Sequence, residues 1–418
     1  MEKINVVLVV LNNKFLEQTI RSLSFYSANL VAIVVENSPK KFLKLGDKEI
    51  PLRPFSAVQN LIDADKNFIW LINGYINNVS DIWSTKKFLM DGGIPEENIV
   101  NFEILPHISV EWLANLRHVR KNGADFFATG ISYTEVGLDL KCFPSTLRGV
   151  NLAGSNQDLR QSFLTAKYVF EHVKPGTIKF VLIGLTPYSF RYDNAKSFFV
   201  CSRNLQYMLG LMNSEPQTHH DFLLQTLVSN EIKNIFFTTT EKQADLNFER
   251  LKNIVNTGLT ARALVNWEAE LDNLTKKFYP QAVQKNFQIL KAYIELCLAN
   301  GAKPVGVVFP FAPAMRKNYN EELLKNFRDM IQRLEENYDF TCVDLFDLPL
   351  DYDCFYNMAH LNLKGSSSAS AQISLRLLEK NILSTEDFCD TRYDYFELLS
   401  NVIPQEKFNS FLDDSRQR

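Results

Sequence analysis

The sequence predicts two α/β domains, each a parallel sheet with helices on its faces, and three observations carry that expectation. Short apolar strands alternate with helical stretches from the first residues to about residue 102. After a bridging helix the alternation resumes and supplies five more strand candidates. Between the third and fourth of these lie about 120 residues with helical periodicity, too many for an unstructured connection.

In the first series, Ile4–Val10 reads as a buried strand, Lys14–Tyr26 as a helix and Leu30–Glu36 as a second strand. Phe68–Leu71 and Ile99–Phe102 are further strand candidates, with a helix over Asp81–Met90 between them. The stretch "DGGIPEENIV" is a glycine stop followed by a connection into a strand. The turn after the first strand, "LNNKFLEQ", has no glycine where GxGxxG brings pyrophosphate against the backbone. Nicotinamide binding is therefore not expected, and residues 1–120 read as a docking or partner-binding domain.

"HISVEWLANLRHVRKNG" (107–123) is a helical bridge with Trp112, Leu113 and Leu116 facing inward. The second series follows: Ala124–Thr129, Arg148–Leu152, Ile178–Ile183, Val305–Phe309 and Phe340–Asp344 read as strands. Val283, Phe287, Leu290, Ile294 and Cys297 mark the helix before the fourth strand, which Asn300-Gly301 stops. The insertion, about 190–284, shows Leu223, Leu224 and Leu227, then Leu264, Trp267, Leu271 and Leu274, at helical steps. A helical lid over the crevice is the expectation. The second domain spans 121–395 and a tail 396–418, and the short "SSSASA" after Gly365 is the longest low-complexity tract.

Composition narrows the function. Apolar residues make up 46% and charged residues 22%, a globular balance, and the 32 Phe point to a large core. A net charge of −3 offers no general attraction for nucleic acid or an anionic membrane. The apolar run Ile4–Leu11 is too short to span a bilayer, and no small-residue cleavage site follows it. Cys142, Cys201, Cys297, Cys342, Cys354 and Cys389 lack CxxC spacing, so reduced thiols in a soluble cytoplasmic protein are expected. His219-His220-Asp221 is adjacent rather than helically spaced, which suits a solvated loop better than a metal site. No cofactor or metal is expected, and nothing in the sequence speaks to oligomeric state.

The chemistry concentrates at predicted strand ends. Ser132, in "TGISYTEVGLD", lies just past the first strand of the second series, where open α/β sheets place ligands. It is either a nucleophile or a plain helix cap. In "VNLAGSNQDL", Gly154 can offer its N–H to an oxyanion and Asn151 its amide, or the pair simply turns the chain. In "IGLTPYSFRYD", Gly184 and Thr186 can line the same crevice, and Ser189 is a competing nucleophile with Arg191 and Asp193 nearby. "FPFAP" (309–313) reads as a rigid wall. His360, before the helix begun by Gly365, sits on the same edge as Ser132 and can take its proton.

Together, Ser132, Gly154, Gly184 and the late "HLNLKG" resemble the SGNH (GDSL-type) hydrolase superfamily over about residues 123–380, the insertion excepted. The resemblance implies a flavodoxin-like five-stranded parallel sheet, Ser132 as nucleophile, His360 as base, and the Ser132 and Gly154 N–H groups as oxyanion donors. It also implies an esterase or O-acyltransferase. The nearest branches act in surface-polymer acylation or deacylation, so a small-molecule or glycan ester is the implied substrate. Residues 1–120 resemble the Rossmann-like domains found beside surface-polysaccharide and nucleotide-sugar enzymes.

Three positions depart from that pattern. Gly130-Ile131-Ser132 stands for Gly-Asp-Ser, Gly184-Leu185-Thr186-Pro187 lacks the oxyanion Asn, and Asn357 occupies the place of the DxxH aspartate. Thr186 is the candidate substitute donor, and Asp353 is the carboxylate close enough in sequence to replace the missing acid. Asn can accept a hydrogen bond from His360 but brings no negative charge, and its NH2 face can hold the wrong tautomer. The rival expectation is a catalytically silent glycan or nucleotide-sugar binding protein that keeps the crevice.

Overall fold

The computed structural model describes residues 3–11, 16–36, 38, 40–74, 79–102, 110–194, 218–230, 232–233, 268, 271 and 279–388. The chain divides into two compact units, one of residues 1–108 and 194–239, the other of residues 109–193 and 240–418.

The first unit opens with β1 (Ile4–Val10), α1 (Leu16–Ser22) and β2 (Ala28–Val35). A hairpin of β3 (Phe42–Leu45) and β4 (Lys48–Arg53) follows, then α2 (Val58–Ala64), β5 (Ile69–Asn73), α3 (Val79–Asp91) and β6 (Ile99–Asn101). The sheet order is β3-β4-β2-β1-β5-β6. Every pairing is parallel except β3 with β4, which makes this a mixed sheet. Val7, Val9, Val34, Trp70 and Ile72 bury one face against Ile62, Ile82 and Leu89. The hairpin was not anticipated: β3, the edge strand, is short and half exposed, and Pro51 of β4 lies opposite its Phe42.

The second unit begins with α4 (Val110–Asn122), β7 (Phe126–Thr129), α5 (Ser132–Gly137), β8 (Gly149–Asn151), α6 (Leu159–His172) and β9 (Phe180–Leu185). The boundary expected at residue 120 falls at 108/109 in this division, because α4 packs with the second sheet; its Asn115 side chain donates to the Asn151 carbonyl at 2.9 Å. Every residue of β7 and β9 is buried, as continuous apolar runs in the middle of a parallel sheet require.

Of the insertion, the described part includes α7 (His219–Leu227), which belongs to the first unit. Leu23 pairs with Val228, Ser24 N–H donates to the Leu227 carbonyl at 2.6 Å, and Ser229 N–H to the Ser22 carbonyl at 2.8 Å. Leu223, Leu224 and Leu227 are buried, in keeping with their helical spacing. The expected lid falls otherwise mostly on residues outside the described ones, as do Leu264, Trp267 and Leu274 and the tail 396–418.

The chain closes the second unit with α8 (Val283–Ala299), β10 (Lys303–Val308), α9 (Pro313–Lys317), α10 (Glu321–Asn337), β11 (Thr341–Asp344) and α11 (Leu363–Glu379). The five strands are all parallel, in the order β11-β10-β9-β7-β8. Numbered from β7, that order is 2-1-3-4-5, so the chain changes direction between β7 and β9. Ligand crevices form at the carboxyl ends of strands at such a switch. Among the described residues no helix is long and apolar enough to cross a membrane, and Cys142, Cys297, Cys342 and Cys354 are free thiols.

Candidate active site

The site starts from two glycines at the switch. Gly130 leaves β7 with φ +141°, a conformation that side-chain-bearing residues avoid, and its N–H donates to Gln157 Oε1 at 2.9 Å. Gly184 lies so close to α5 that an added Cβ would sit 1.8 Å from Thr134 Oγ1. These approaches let β7, β9 and α5 close together, and Ser132 emerges as the first residue of α5. Its backbone N–H therefore has no intrahelical acceptor.

His360 arrives from the far side of the sheet on a tightly pinned loop. Phe355 and Leu361 form an isolated antiparallel bridge, and Tyr356 N–H donates to the His360 carbonyl at 3.1 Å. Asn362 N–H donates to the Cys354 carbonyl at 3.0 Å, its amide donates to the Asp353 carbonyl at 2.6 Å, and its Oδ1 caps α11 at Gly365 N–H. The "FPFAP" turn joins this loop through Ala312 N–H to the Met358 carbonyl at 3.0 Å. The result places His360 Nε2 2.8 Å from Ser132 Oγ.

Asn357 decides the protonation pattern. Its Oδ1 lies 3.0 Å from Ala359 N, 2.8 Å from His360 N and 3.0 Å from His360 Nδ1. Backbone N–H groups only donate, so the Asn357 atom facing them must be the oxygen. The same oxygen then requires Nδ1 to carry the ring proton. Nε2 is left with its lone pair and accepts from the Ser132 hydroxyl. The feared wrong tautomer is thus excluded by two backbone amides rather than by charge.

The cost lies in basicity. The His360 residue keeps intermediate exposure, but its ring stacks on Tyr133 with centroids 4.8 Å apart and planes 11° apart, and Tyr356 lies at 5.5 Å. Burial pushes its pKa down to about 4. The imidazole is neutral at pH 7, as a base must be, but an imidazolium there finds no counter-charge in Asn357.

The remaining sequence-derived residues divide. Gly154 N–H donates to the Gly130 carbonyl at 2.9 Å, so this conformation does not present it to an oxyanion. The Asn151 amide is spent on the Thr134 and Glu135 carbonyls at 3.1 and 3.2 Å, and its Oδ1 accepts from Ala153 N–H; it braces α5 instead of facing substrate. Asp353 does not reach His360: it is exposed, pairs with Lys364 at 2.5 Å, and is held below the usual carboxylate range by that hydrogen bond. Ser189 Oγ accepts from Thr186 N–H at 2.9 Å and lies 3.2 Å from Thr186 Oγ1, a turn-closing role. Asp193 is buried against Lys285. His219, His220 and Asp221 are not a loop but the first turn of α7, where Asp221 N–H is capped by Thr218, and burial pushes His220 down.

Beside Ser132, starting at Ile131, opens a pocket of about 250 Å³ counting the solvent at its mouth. Gln157, Leu159, Gly184, Thr186, Tyr188 and Ser189 help to line it. Gly184 and Thr186 do flank one crevice; Gln157, Tyr133, Tyr188 and Tyr356 were missed. Tyr133 adjoins Ser132 in sequence and Tyr188 follows the Gly184 block, which were available signals. Tyr356 likewise adjoins Asn357, whereas Gln157 acts by a proximity to Gly130 that no spacing announces. Neither a protein-family model nor a curated protein matches the chain.

Proposed function

We propose that the second unit is an SGNH-type domain performing acyl transfer through a Ser132 ester, and that the first is a Rossmann-like domain without a dinucleotide site. The observation supporting this most is the Ser132 Oγ–His360 Nε2 hydrogen bond of 2.8 Å, with the tautomer set by Asn357. Ser132 Oγ attacks the ester carbonyl carbon as its proton passes to Nε2. The tetrahedral intermediate collapses, and the departing alkoxide takes that proton from Nε2. Water or a second hydroxyl then repeats the sequence on the acyl-enzyme. Ser132 N–H and the Thr186 hydroxyl are the oxyanion donors in this reading, and Gly154 N–H joins them when it leaves the Gly130 carbonyl.

The substrate class is a carbohydrate-containing ester of surface glycan metabolism, which rests on the resemblance read from the sequence. The test is intact-mass analysis after fluorophosphonate treatment with the adduct mapped, beside turnover of p-nitrophenyl acetate. An adduct on Ser132 with acid released in water supports an esterase; release dependent on an added alcohol supports a transferase. A second reading, a silent binding crevice, is favoured by the spent Gly154 N–H and Asn151 amide. Absence of both adduct and turnover would establish it over the enzyme.

A further inference from the structure

The "SSSASA" tract is not filler. Ser366, Ser370 and Ser374 recur every four residues of α11, so they share one face, and they are 3%, 0% and 0% exposed. Serine gives α11 no propensity advantage over alanine, and a buried hydroxyl without a partner is costly. Each of these hydroxyls finds its partner in the segment that follows Ser132. Ser366 Oγ–H is shared between the Val136 carbonyl at 2.8 Å and the Asn362 carbonyl at 2.7 Å. Ser370 Oγ accepts from Asp139 N–H at 2.8 Å and donates to the Gly137 carbonyl at 3.3 Å. Ser367 Oγ donates to Asp139 Oδ2 at 2.7 Å. One turn further on, Ser374 Oγ donates to the Cys142 carbonyl at 2.5 Å.

Ser132 and His360 are 228 residues apart, and the strands that lead to them, β7 and β11, are separated in the sheet by β9 and β10. Sheet pairing therefore does not fix their spacing directly. α5 is six residues long, so a shift at its Val136–Gly137 end reaches Ser132 undamped. At the other end of the linkage, α11 starts three residues after His360 and is capped by Asn362. We propose that Ser366 and Ser370 are positioning residues that hold the end of the Ser132 helix against α11 and so set the Ser132–His360 separation. The proposal rests on the acyl-transfer reading of that pair. A displacement of under 1 Å is enough to lose a hydrogen bond of this length.

The test uses the full chain and two readouts: the rate of fluorophosphonate labelling, and the His360 ring pKa by NMR titration. Ser370→Ala and Ser366→Ala should each slow labelling about tenfold or more at unchanged reagent saturation. They should also raise the His360 pKa, because the Ser132 hydroxyl no longer favours the neutral ring. Ser374→Ala loses an equally buried bond farther from the pair and should stay within about twofold with no pKa change. Normal labelling and an unmoved His360 pKa in folded Ser370→Ala and Ser366→Ala would overturn the proposal, as would an equal loss in Ser374→Ala. If Ser370→Ala does not fold, Ser366→Ala decides. If the wild-type chain itself is not labelled, the acyl-transfer reading fails, and the His360 titration alone then decides whether the serine face holds the pair.

Discussion

The two sheets follow one grammar and differ in what their polar groups do at the carboxyl edge. In the first, Asn73 ends β5 by donating to the Phe102 carbonyl at 3.1 Å while its own carbonyl accepts from Leu11 N–H at 2.9 Å. Gly74 then packs so close to α3 that a Cβ would lie 2.4 Å from Ile82 Cγ1. Among the described residues, these polar atoms close strands onto each other. In the second, the turn after β7 is also stitched, by Gln157 to Gly130 N–H, but Ser132 is met by an imidazole from a distant segment. A parallel sheet supplies an address; chemistry needs a partner delivered to it.

Removing the proposed nucleophile should separate the two edges most sharply. Ser132→Ala is expected to abolish fluorophosphonate labelling and to lower ester turnover by about 10³-fold or more. Asn73→Ala, in the first unit, should leave labelling within about twofold and lower stability by about 1 kcal/mol, read by urea unfolding. Comparable losses of turnover from both would place the chemistry outside the second sheet's edge.

Sequence periodicity revealed strands better than partners. Ile4–Val10 was read at its observed bounds, and all five strands of the second sheet were found within a few residues; β7 and β9, buried throughout, are unbroken apolar runs, while the edge strands β8 and β11 are only partly buried. The β3–β4 hairpin escaped because an edge needs neither length nor apolarity. The leucine spacing of α7 signalled a helix, but periodicity says nothing of which unit that helix joins. Ser132 was read from its place at a strand end and His360 from its place before the helix begun by Gly365, and the two side chains lie 2.8 Å apart. Ser370 and Gln157 were not so read, since both act on backbone atoms remote in sequence: Ser370 on Gly137 and Asp139, Gln157 on Gly130. The alternatives left open for Gly154 and Asn151 have the same root: their donors are engaged by the Gly130, Thr134 and Glu135 carbonyls in this conformation, and whether an N–H is free depends on the neighbours the fold brings.

Asn357→Asp tests the charge-free arrangement. In serine proteases the reverse change costs about 10⁴ in turnover. Here the backbone amides already fix the tautomer, so the gain should be electrostatic alone, about tenfold or more in kcat with KM little changed. A carboxylate beside Nδ1 favours imidazolium, so the acid limb of the pH–rate profile should rise from about 4 towards 6.5. Stability has the same root. With the folded pKa lowered, the unfolded chain binds more protons between about 4 and 6.5, and stability is lost as pH falls through that window. The variant should flatten that slope, checked by urea unfolding at several pH values. An unchanged acid limb would show that position 357 does not govern the ring.

Asp353 is the contrasting carboxylate, and its replacement should do least. It lies four residues before Asn357, near enough in sequence to stand in for the missing acid, yet its side chain turns to Lys364 in solvent. The hydrogen bond from Lys364 favours the ionised form and holds the Asp353 carboxyl below the usual carboxylate range. A charge that is solvated and already paired is screened from a buried ring. Asp353→Asn should therefore leave kcat within about twofold and the acid limb where the wild type has it. A fall of tenfold, or a downward shift of that limb, would mean that Asp353 swings in during turnover. Asn357→Asp would then duplicate an acid already at work, and the two changes combined would show it: Asp353→Asn should cost nothing once residue 357 is Asp.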